Sequence, residues 1–152
     1  FESFSSTLNK FNNEHGFANS RARLRMTTLY QVAAANKGIV VGTGNKVEDF
    51  GVGFYTKYGD GGVDISPIAD CNKTEVWELG KELGILKEII DAPPTDGLWD
   101  DGRTDEGQLG FKYKDLEEAM VNPDSPHRQE YEKIRKQNLH KMDPIPGCKI
   151  PS

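Results

Sequence analysis

A glycine-rich turn at residues 40–48, Val-Val-Gly-Thr-Gly-Asn-Lys-Val-Glu, carries residue types that suit a bound ligand and a metal ion. Gly42 and Gly44 would let the backbone approach a ligand closely, and Thr43 offers a backbone N–H and a hydroxyl. Glu48 could hold a hard cation such as Mg²⁺, because such cations favour carboxylate oxygen. A turn whose glycines serve only backbone geometry explains the same pattern, so these residues leave both interpretations open.

A polar loop at residues 56–64, Thr-Lys-Tyr-Gly-Asp-Gly-Gly-Val-Asp, is a second candidate site. It lies in an irregular stretch, residues 51–67, whose length is typical of a binding loop. Gly61 and Gly62 allow a bend that has Lys57 on one side and Asp64 on the other. A solvated turn with incidental charges is the alternative. A calcium loop is excluded, because the spacing of acidic ligands is wrong here and at residues 96–106.

Two single residues, Lys73 and Thr95, form a third set of candidate site residues. Lys73 falls in the first turn of a predicted helix, where the helix dipole disfavours a cation unless a bound phosphate reverses the sign. Thr95 follows two prolines, which present its hydroxyl on rigid backbone. Each residue could instead be an ordinary exposed side chain.

The remaining candidate cations for a site are Arg23, Arg25 and the neighbours His140 and Lys141. Arginines spaced by two cannot share one helical face, so at most one of them points into a site. A single histidine such as His140 is more often a surface residue than a catalyst. Because the sequence has no Ser-His-Asp set and no reactive cysteine environment, it predicts no protein nucleophile.

The elements that must position these residues are helices around one apolar run. A helix is predicted over residues 20–36 with Asn19 as its N-cap, and residues 39–41, Ile-Val-Val, follow it as a buried parallel strand. Further helices are predicted at 73–83, 114–121 and 126–141, with an acidic surface loop at 95–107. This order predicts an α/β fold, an open parallel sheet with flanking helices that binds ligands past the carboxyl ends of its strands.

Composition excludes several classes of protein. The 152 residues, 36% hydrophobic and 28% charged, fit one globular domain, and no stretch approaches the roughly 20 apolar residues of a membrane-spanning helix. The formal net charge of -5 disfavours a nucleic-acid partner, since such proteins usually carry a basic stripe. Cys71 and Cys148 form neither a metal motif nor a disulfide framework, so we expect a reducing compartment, the cytoplasm.

Taken in order, these segments resemble the ammonia-dependent NAD synthetases, a family of the adenine nucleotide α-hydrolase-like superfamily. The match extends from about residue 19 to residue 146, and its most specific part is the string at residues 56–64. The other matching segments are Arg-Ala-Arg-Leu-Arg-Met at 21–26, Val-Gly-Thr at 41–43, Glu48, Lys-Thr-Glu-Val at 73–76, Ala-Pro-Pro-Thr at 92–95, Asp-Glu at 105–106 and His-Lys at 140–141. The resemblance implies a Rossmann-like sheet, a homodimer, and ATP-dependent amidation of deamido-NAD with ammonia to give NAD.

The resemblance also implies roles for individual residues. Thr43, Lys73 and Thr95 would contact ATP, and Glu48 would be a Mg²⁺ ligand. The residues implied for deamido-NAD are Asn19, Arg23, Lys57, Asp64, His140 and Lys141. In the family reaction ATP adenylates the nicotinate carboxylate and releases pyrophosphate, and ammonia then displaces AMP. Since adenylation creates a good leaving group, and Mg²⁺ and lysine offset the charge of pyrophosphate, this chemistry requires no protein nucleophile.

One family feature is missing from the sequence, the pyrophosphate-binding loop of the type Ser-Gly-Gly-x-Asp-Ser. In the family this loop precedes every segment matched here. We therefore expect residues 1–152 to be the C-terminal part of a single NAD synthetase domain whose upstream half is absent, and translation to begin before Phe1. A non-catalytic nucleotide-binding module that lost the loop and a fragment of a glutamine-dependent NAD synthetase are the alternatives.

Overall fold

A computed structural model describes residues 1–150 as a set of helices joined by irregular segments. The helices are α1 (Glu2–Thr7), α2 (Glu14–Ala35), α3 (Lys73–Glu82), α4 (Lys87–Ile90), α5 (Asp105–Leu109), α6 (Tyr113–Val121) and α7 (Arg128–Met142), with a 3₁₀ turn at Asn9–Phe11 and a π-helix at Lys46–Val52. Among these described residues no helix is both long and apolar enough to cross a lipid bilayer.

The predicted parallel sheet is not present in residues 1–150, so the prediction of a Rossmann-like α/β fold is wrong for them. The apolar run at 39–41 makes one isolated parallel bridge, between Val41 and Ile65. Val41 is 53% exposed and Ile39 59% exposed, whereas a strand in a parallel sheet is covered on both faces. A central strand also needs a neighbour on each side to accept and donate its backbone hydrogen bonds. The described residues supply one such contact, and the run remains an extended segment.

The core lies between the π-helix, α6 and α7. Its buried side chains are Val47, Val52, Tyr113, Leu116, Ala119 and Tyr131. Three of them recur every third residue along α6, which places them on one helical face. Trp77 of α3 packs edge-on against the Tyr113 ring, with 5.9 Å between the ring centroids. This packing brings the start of the π-helix and the start of α3 to the same side of α6.

The helix α2 begins earlier than the sequence predicts. Asn13, rather than Asn19, is its N-cap, and its side-chain oxygen accepts a 2.7 Å hydrogen bond from the Gly16 N–H. The helix ends at Ala35, within one residue of the prediction. Ala22 on its buried face lies so close to the polar loop that a Cβ at Gly59 would be 2.8 Å from the Ala22 Cβ. The long helix thus supports the loop at residues 56–64.

The predicted helices at 73–83, 114–121 and 126–141 are confirmed as α3, α6 and α7, each with its ends within two residues of the predicted ends. The capping box at the start of α3 is half formed. Glu75 accepts a 2.7 Å hydrogen bond from the Asn72 N–H, but Asn72 Oδ1 has no partner among residues 1–150. The helix α5 lies partly in the predicted acidic loop, where Thr104 caps it through a 3.1 Å bond from the Gly107 N–H.

Candidate functional site

Glu48 and Lys73, separated by 25 residues in sequence, form an ion pair. Lys73 Nζ lies 3.1 Å from Glu48 Oε1, and the two side chains are 18% and 13% exposed. The first turn of the π-helix carries Glu48, and the first turn of α3 carries Lys73. The structure therefore brings together the side chains for which the sequence predicts a metal role and a phosphate role.

Two buried side chains hold the Glu48 carboxylate in place. Asn45 accepts a 3.0 Å hydrogen bond from the Glu48 N–H and donates from Nδ2 to Glu48 Oε2. The Tyr113 hydroxyl donates to Glu48 Oε1 and lies 3.3 Å from Asp105 Oδ2. Burial, and next the charge of Glu48, raise the pKa of the Tyr113 phenol far above its usual value, so the hydroxyl stays protonated.

Sequence reasoning assigned no role to Asn45 or Tyr113. A signal for Asn45 exists, because an asparagine three residues before a glutamate at a helix start is a common capping pattern. Tyr113 could not be found in this way, since it lies 65 residues from Glu48 and reaches it only through the packing of α6.

The donor set around Glu48 suits a hard divalent cation that is also held by phosphate. Mg²⁺ in proteins is usually bound by one or two carboxylates, with waters and substrate phosphates completing its octahedron. Glu48 supplies one carboxylate, and the nearby Asp105 is 7% exposed with an Oδ1 that has no hydrogen-bond partner among residues 1–150. The described residues contain no group of three or more His, Cys, Asp or Glu side chains that could hold a metal alone. The residues present therefore fit Mg²⁺ only as part of a shared site.

The glycines of the turn at 40–48 serve contacts within the chain. A Cβ at Gly44 would lie 2.0 Å from Asp49 Oδ2, and one at Gly42 would lie 2.8 Å from Val63 Cγ2. Both distances are too short for any side chain, which supports the geometric interpretation of these glycines.

A cleft of about 350 Å³ lies between α2, the extended segment and the polar loop. Its polar lining is formed by Arg25, Thr43, Asp60 and Asp96, and its apolar lining comes largely from α2 and Val40. Thr43 therefore faces a different space from the Glu48–Lys73 pair. Thr95 is exposed next to Asp96, and within residues 1–150 no hydrogen bond joins Thr43, Thr95 and Lys73. Within residues 1–150 the three predicted ATP contacts therefore do not touch one another through hydrogen bonds.

Residues predicted to contact the dinucleotide meet where α2, the polar loop and the end of α7 come together. Asn19 Oδ1 accepts a 2.6 Å hydrogen bond from the Thr56 hydroxyl, and Arg23 Nε donates to the Lys57 carbonyl over 3.2 Å. Lys57 Nζ in turn donates to the carbonyl of His140. These contacts bring the predicted dinucleotide residues of α2, the polar loop and α7 next to one another.

Two of the predicted dinucleotide residues hold backbone in this structure. Lys141 Nζ donates hydrogen bonds of 2.8 Å to the carbonyls of Gly53 and Tyr55. Both residues lie just past the end of the π-helix. Burial lowers the pKa of Lys141. Asp64 accepts hydrogen bonds from the Val40 N–H at 2.8 Å and the Tyr30 hydroxyl at 3.2 Å, so it fastens the extended segment to the loop.

Comparison with known sequences places the chain in a family. The model of the NAD synthase family matches residues 1–144. The NH(3)-dependent NAD(+) synthetase of Alkaliphilus oremlandii is 45% identical over 135 residues, which cover 88% of this chain and 53% of that protein. The NH(3)-dependent NAD(+) synthetase of Carboxydothermus hydrogenoformans is 51% identical over 104 residues, covering 68% of this chain and 42% of that protein. The chain spans about half the length of the curated relatives it matches.

Two solved structures have a backbone similar to that of this chain. The NMN synthetase from Francisella tularensis matches with a TM-score of 0.87 and 32% identity, over 98% of this chain and 63% of that one. The NH3-dependent NAD synthetase from Campylobacter jejuni, solved with a nitrate ion, matches with a TM-score of 0.69 and 23% identity, over 97% and 63%. The second likeness concerns the fold alone. With the family model covering nearly all of the sequence, the chain belongs to the NAD synthase family.

Proposed function

We propose that residues 1–152 form the C-terminal part of a single NAD synthetase domain, and that the enzyme amidates deamido-NAD with ammonia. ATP adenylates the nicotinate carboxylate, pyrophosphate leaves, and ammonia displaces AMP to give NAD. Family membership and the relatives named above support this proposal. We also propose, on the same resemblance, that the enzyme is a cytoplasmic homodimer.

The Glu48–Lys73 pair is the observation that carries the proposal. It presents a carboxylate and an ammonium 3.1 Å apart, which are the partners that a divalent cation and a phosphate respectively require. Glu117 already accepts hydrogen bonds from the Thr74 N–H and hydroxyl, at 3.0 and 2.7 Å. The Thr74 amide at the start of α3 is therefore already occupied, and the Lys73 ammonium is the cationic group there that could contact a phosphate. When bound, Mg²⁺ would offset the charge that develops on the departing pyrophosphate.

The other proposed contacts follow the two spaces described above. We assign Thr43 and Thr95 to ATP in the cleft beside α2. Thr43 lines this cleft, and Thr95 precedes the cleft residue Asp96 in sequence. We assign Asn19, Arg23, Lys57 and His140 to deamido-NAD at the meeting of α2, the polar loop and α7. Lys141 and Asp64 belong to the same assignment, and each would act there by holding the backbone that shapes the surface.

A second candidate product is NMN. The Francisella structure, an NMN synthetase, has a higher TM-score and a higher identity to this chain than the Campylobacter NAD synthetase has. The same adenylation and amidation would then act on the nicotinate carboxylate of a mononucleotide.

The test is an assay of the protein made from its complete coding region, with ATP, Mg²⁺, ammonium and either deamido-NAD or nicotinate mononucleotide. We expect NAD, AMP and pyrophosphate in equal amounts with deamido-NAD, and NMN if the second candidate is right. Release of ADP, or of no nucleotide with either substrate, would contradict the proposal. An arm in which glutamine replaces ammonium tests the glutamine-dependent alternative.

The 152-residue chain assayed alone tests its place in the enzyme. Because it lacks the pyrophosphate-binding loop, we expect it to form no NAD under the same conditions. Sustained NAD formation by this chain would contradict its assignment as the C-terminal part of a larger domain.

A further inference from the structure

The Tyr113 hydroxyl lies between two carboxylates and has one proton to share. It donates to Glu48 Oε1 and lies 3.3 Å from Asp105 Oδ2. The ring itself is fixed, because Tyr113 is 1% exposed and Trp77 packs edge-on against it. Rotation about the C–O bond is the motion left to this hydroxyl, and that rotation selects which carboxylate receives the hydrogen bond.

Asp105 is placed where a carboxylate is strongly disfavoured. It is 7% exposed, its Oδ1 has no hydrogen-bond partner, and no lysine or arginine pairs with it in the described part of the chain. Burial of a carboxylate without a cationic partner is costly. The contact of Asp105 Oδ2 with the Tyr113 hydroxyl is thus the feature that needs a functional explanation.

Glu48 Oε1 already accepts from two donors, Lys73 and Tyr113. Both lone pairs of this oxygen are then engaged, so a cation that binds it must displace one of the two hydrogen bonds. Lys73 can turn to a phosphate, and the Tyr113 hydroxyl can turn to Asp105. The pair Tyr113 and Asp105 therefore offers Glu48 a second arrangement without movement of the backbone.

We propose that Tyr113 and Asp105 are positioning residues for Glu48. The Tyr113 hydroxyl orients the carboxylate when no cation is bound, and it turns to Asp105 Oδ2 when Glu48 binds a divalent cation. This inference rests on the proposed role of Glu48 as a metal ligand. It differs from a direct metal role for Asp105, because Asp105 acts only through the hydroxyl.

The test measures Mn²⁺ binding by electron paramagnetic resonance, in the presence of ATP, to the protein made from its complete coding region. Loss of an outer hydrogen-bond partner at a metal site typically lowers metal affinity about 10–100-fold. We expect Asp105→Ala to bind Mn²⁺ about 10-fold more weakly, because the Tyr113 hydroxyl then has Glu48 as its one carboxylate acceptor and competes with the cation. Asp105→Asn keeps an acceptor oxygen for the Tyr113 hydroxyl and should restore most of the Mn²⁺ affinity. The double variant Asp105→Ala/Tyr113→Phe should be no weaker than Tyr113→Phe alone.

Additive losses in the double variant would overturn the proposal, since they would show that Asp105 acts through its charge and not through Tyr113. A Mn²⁺ affinity for Asp105→Asn as low as that of Asp105→Ala would overturn it for the same reason. Tyr131→Phe is the matched control, because Tyr131 is 4% exposed in the same core. An equal loss in that variant would show a general packing effect and would also overturn it.

Glu48→Gln separates this proposal from the proposed function. If Glu48→Gln loses Mn²⁺ binding and Asp105→Ala does not, the positioning role alone fails. If Glu48→Gln binds Mn²⁺ as the unsubstituted protein does, or the unsubstituted protein binds none, the metal role of Glu48 fails and the positioning role fails with it.

Discussion

Lys73 and Glu48 neutralise each other across 25 residues of sequence, with 3.1 Å between Nζ and Oε1 and less than one fifth of either side chain exposed. Removing one partner of such a pair leaves a poorly solvated charge, which costs far more than breaking an exposed pair. The two groups therefore affect both stability and the proposed chemistry.

Lys73→Ala should lower the free energy of unfolding by roughly 1–3 kcal/mol, because Glu48 loses its counterion. The same change should reduce kcat/KM for ATP about 10–100-fold if the ammonium contacts phosphate, which corresponds to about 1.4–3 kcal/mol. Urea unfolding and steady-state kinetics of the protein made from its complete coding region measure the two effects. Lys46→Ala is the control, since its 2.9 Å pair with the 97% exposed Asp70 should contribute little to stability. Equal losses of stability and of kcat/KM in both variants would contradict a phosphate contact by Lys73.

Glu48→Gln should raise the Mg²⁺ concentration needed for half-maximal NAD formation about 10-fold or more, because an amide oxygen carries no charge for the cation. A Mg²⁺ titration at saturating ATP, with the protein made from its complete coding region, measures the change. Glu78→Gln, an exposed change on α3, controls for the loss of one carboxylate. A Mg²⁺ requirement that is the same in both variants would rule out Glu48 as a ligand.

Asp49 should make the protein less stable as pH rises from about 4 to about 7. Burial, and next the charges of Asp60 and Glu48, raise the pKa of Asp49 from 3.8 to about 7. Between these values the folded protein binds more protons than the unfolded chain, so its stability falls with rising pH, by at most about 1.4 kcal/mol per pH unit. Contact of Asp49 with solvent reduces this slope.

Asp49→Asn should remove this part of the pH dependence and leave the variant relatively more stable at pH 8 than at pH 4. Thermal unfolding measured across this range, with the exposed Asp124→Asn as control, tests the expectation. Parallel profiles for Asp49→Asn and the unsubstituted protein would show that Asp49 titrates normally.

Gly53→Ala should destabilise the protein more than Gly84→Ala. Both glycines have positive φ, 67° and 70°, so alanine costs about 1–2 kcal/mol of backbone strain at either position. At Gly53 the new Cβ would also lie 2.6 Å from the Asn138 Cβ, whereas nothing lies within 4 Å at Gly84. We expect Gly53→Ala to lose at least about 1 kcal/mol more in urea unfolding, because the junction of the π-helix with α7 cannot relax freely. Equal losses would show that α7 adjusts.

Local patterns predicted α3, α6 and α7 because each has a helical apolar face and clear end signals. The short α4 and α5 escaped prediction, since helices of 4 and 5 residues are too short to show a period. The π-helix also escaped, because its wider turns do not follow the 3.6-residue spacing on which the prediction relied. The start of α2 was misplaced because Asn13 and Asn19 are equally suitable caps in sequence.

The sequence by itself determined the family and the residue types of the site, because the ordered segments around Thr43, Glu48 and Lys73 depend only on chain order. Tertiary structure alone decided that Glu48 meets Lys73 and Tyr113, since that meeting depends on how α6 packs between the π-helix and α7. It also decided against a strand at residues 39–41. An apolar run becomes part of a sheet only where neighbouring strands take up its backbone hydrogen bonds, and among residues 1–150 only one bridge, to Ile65, does so.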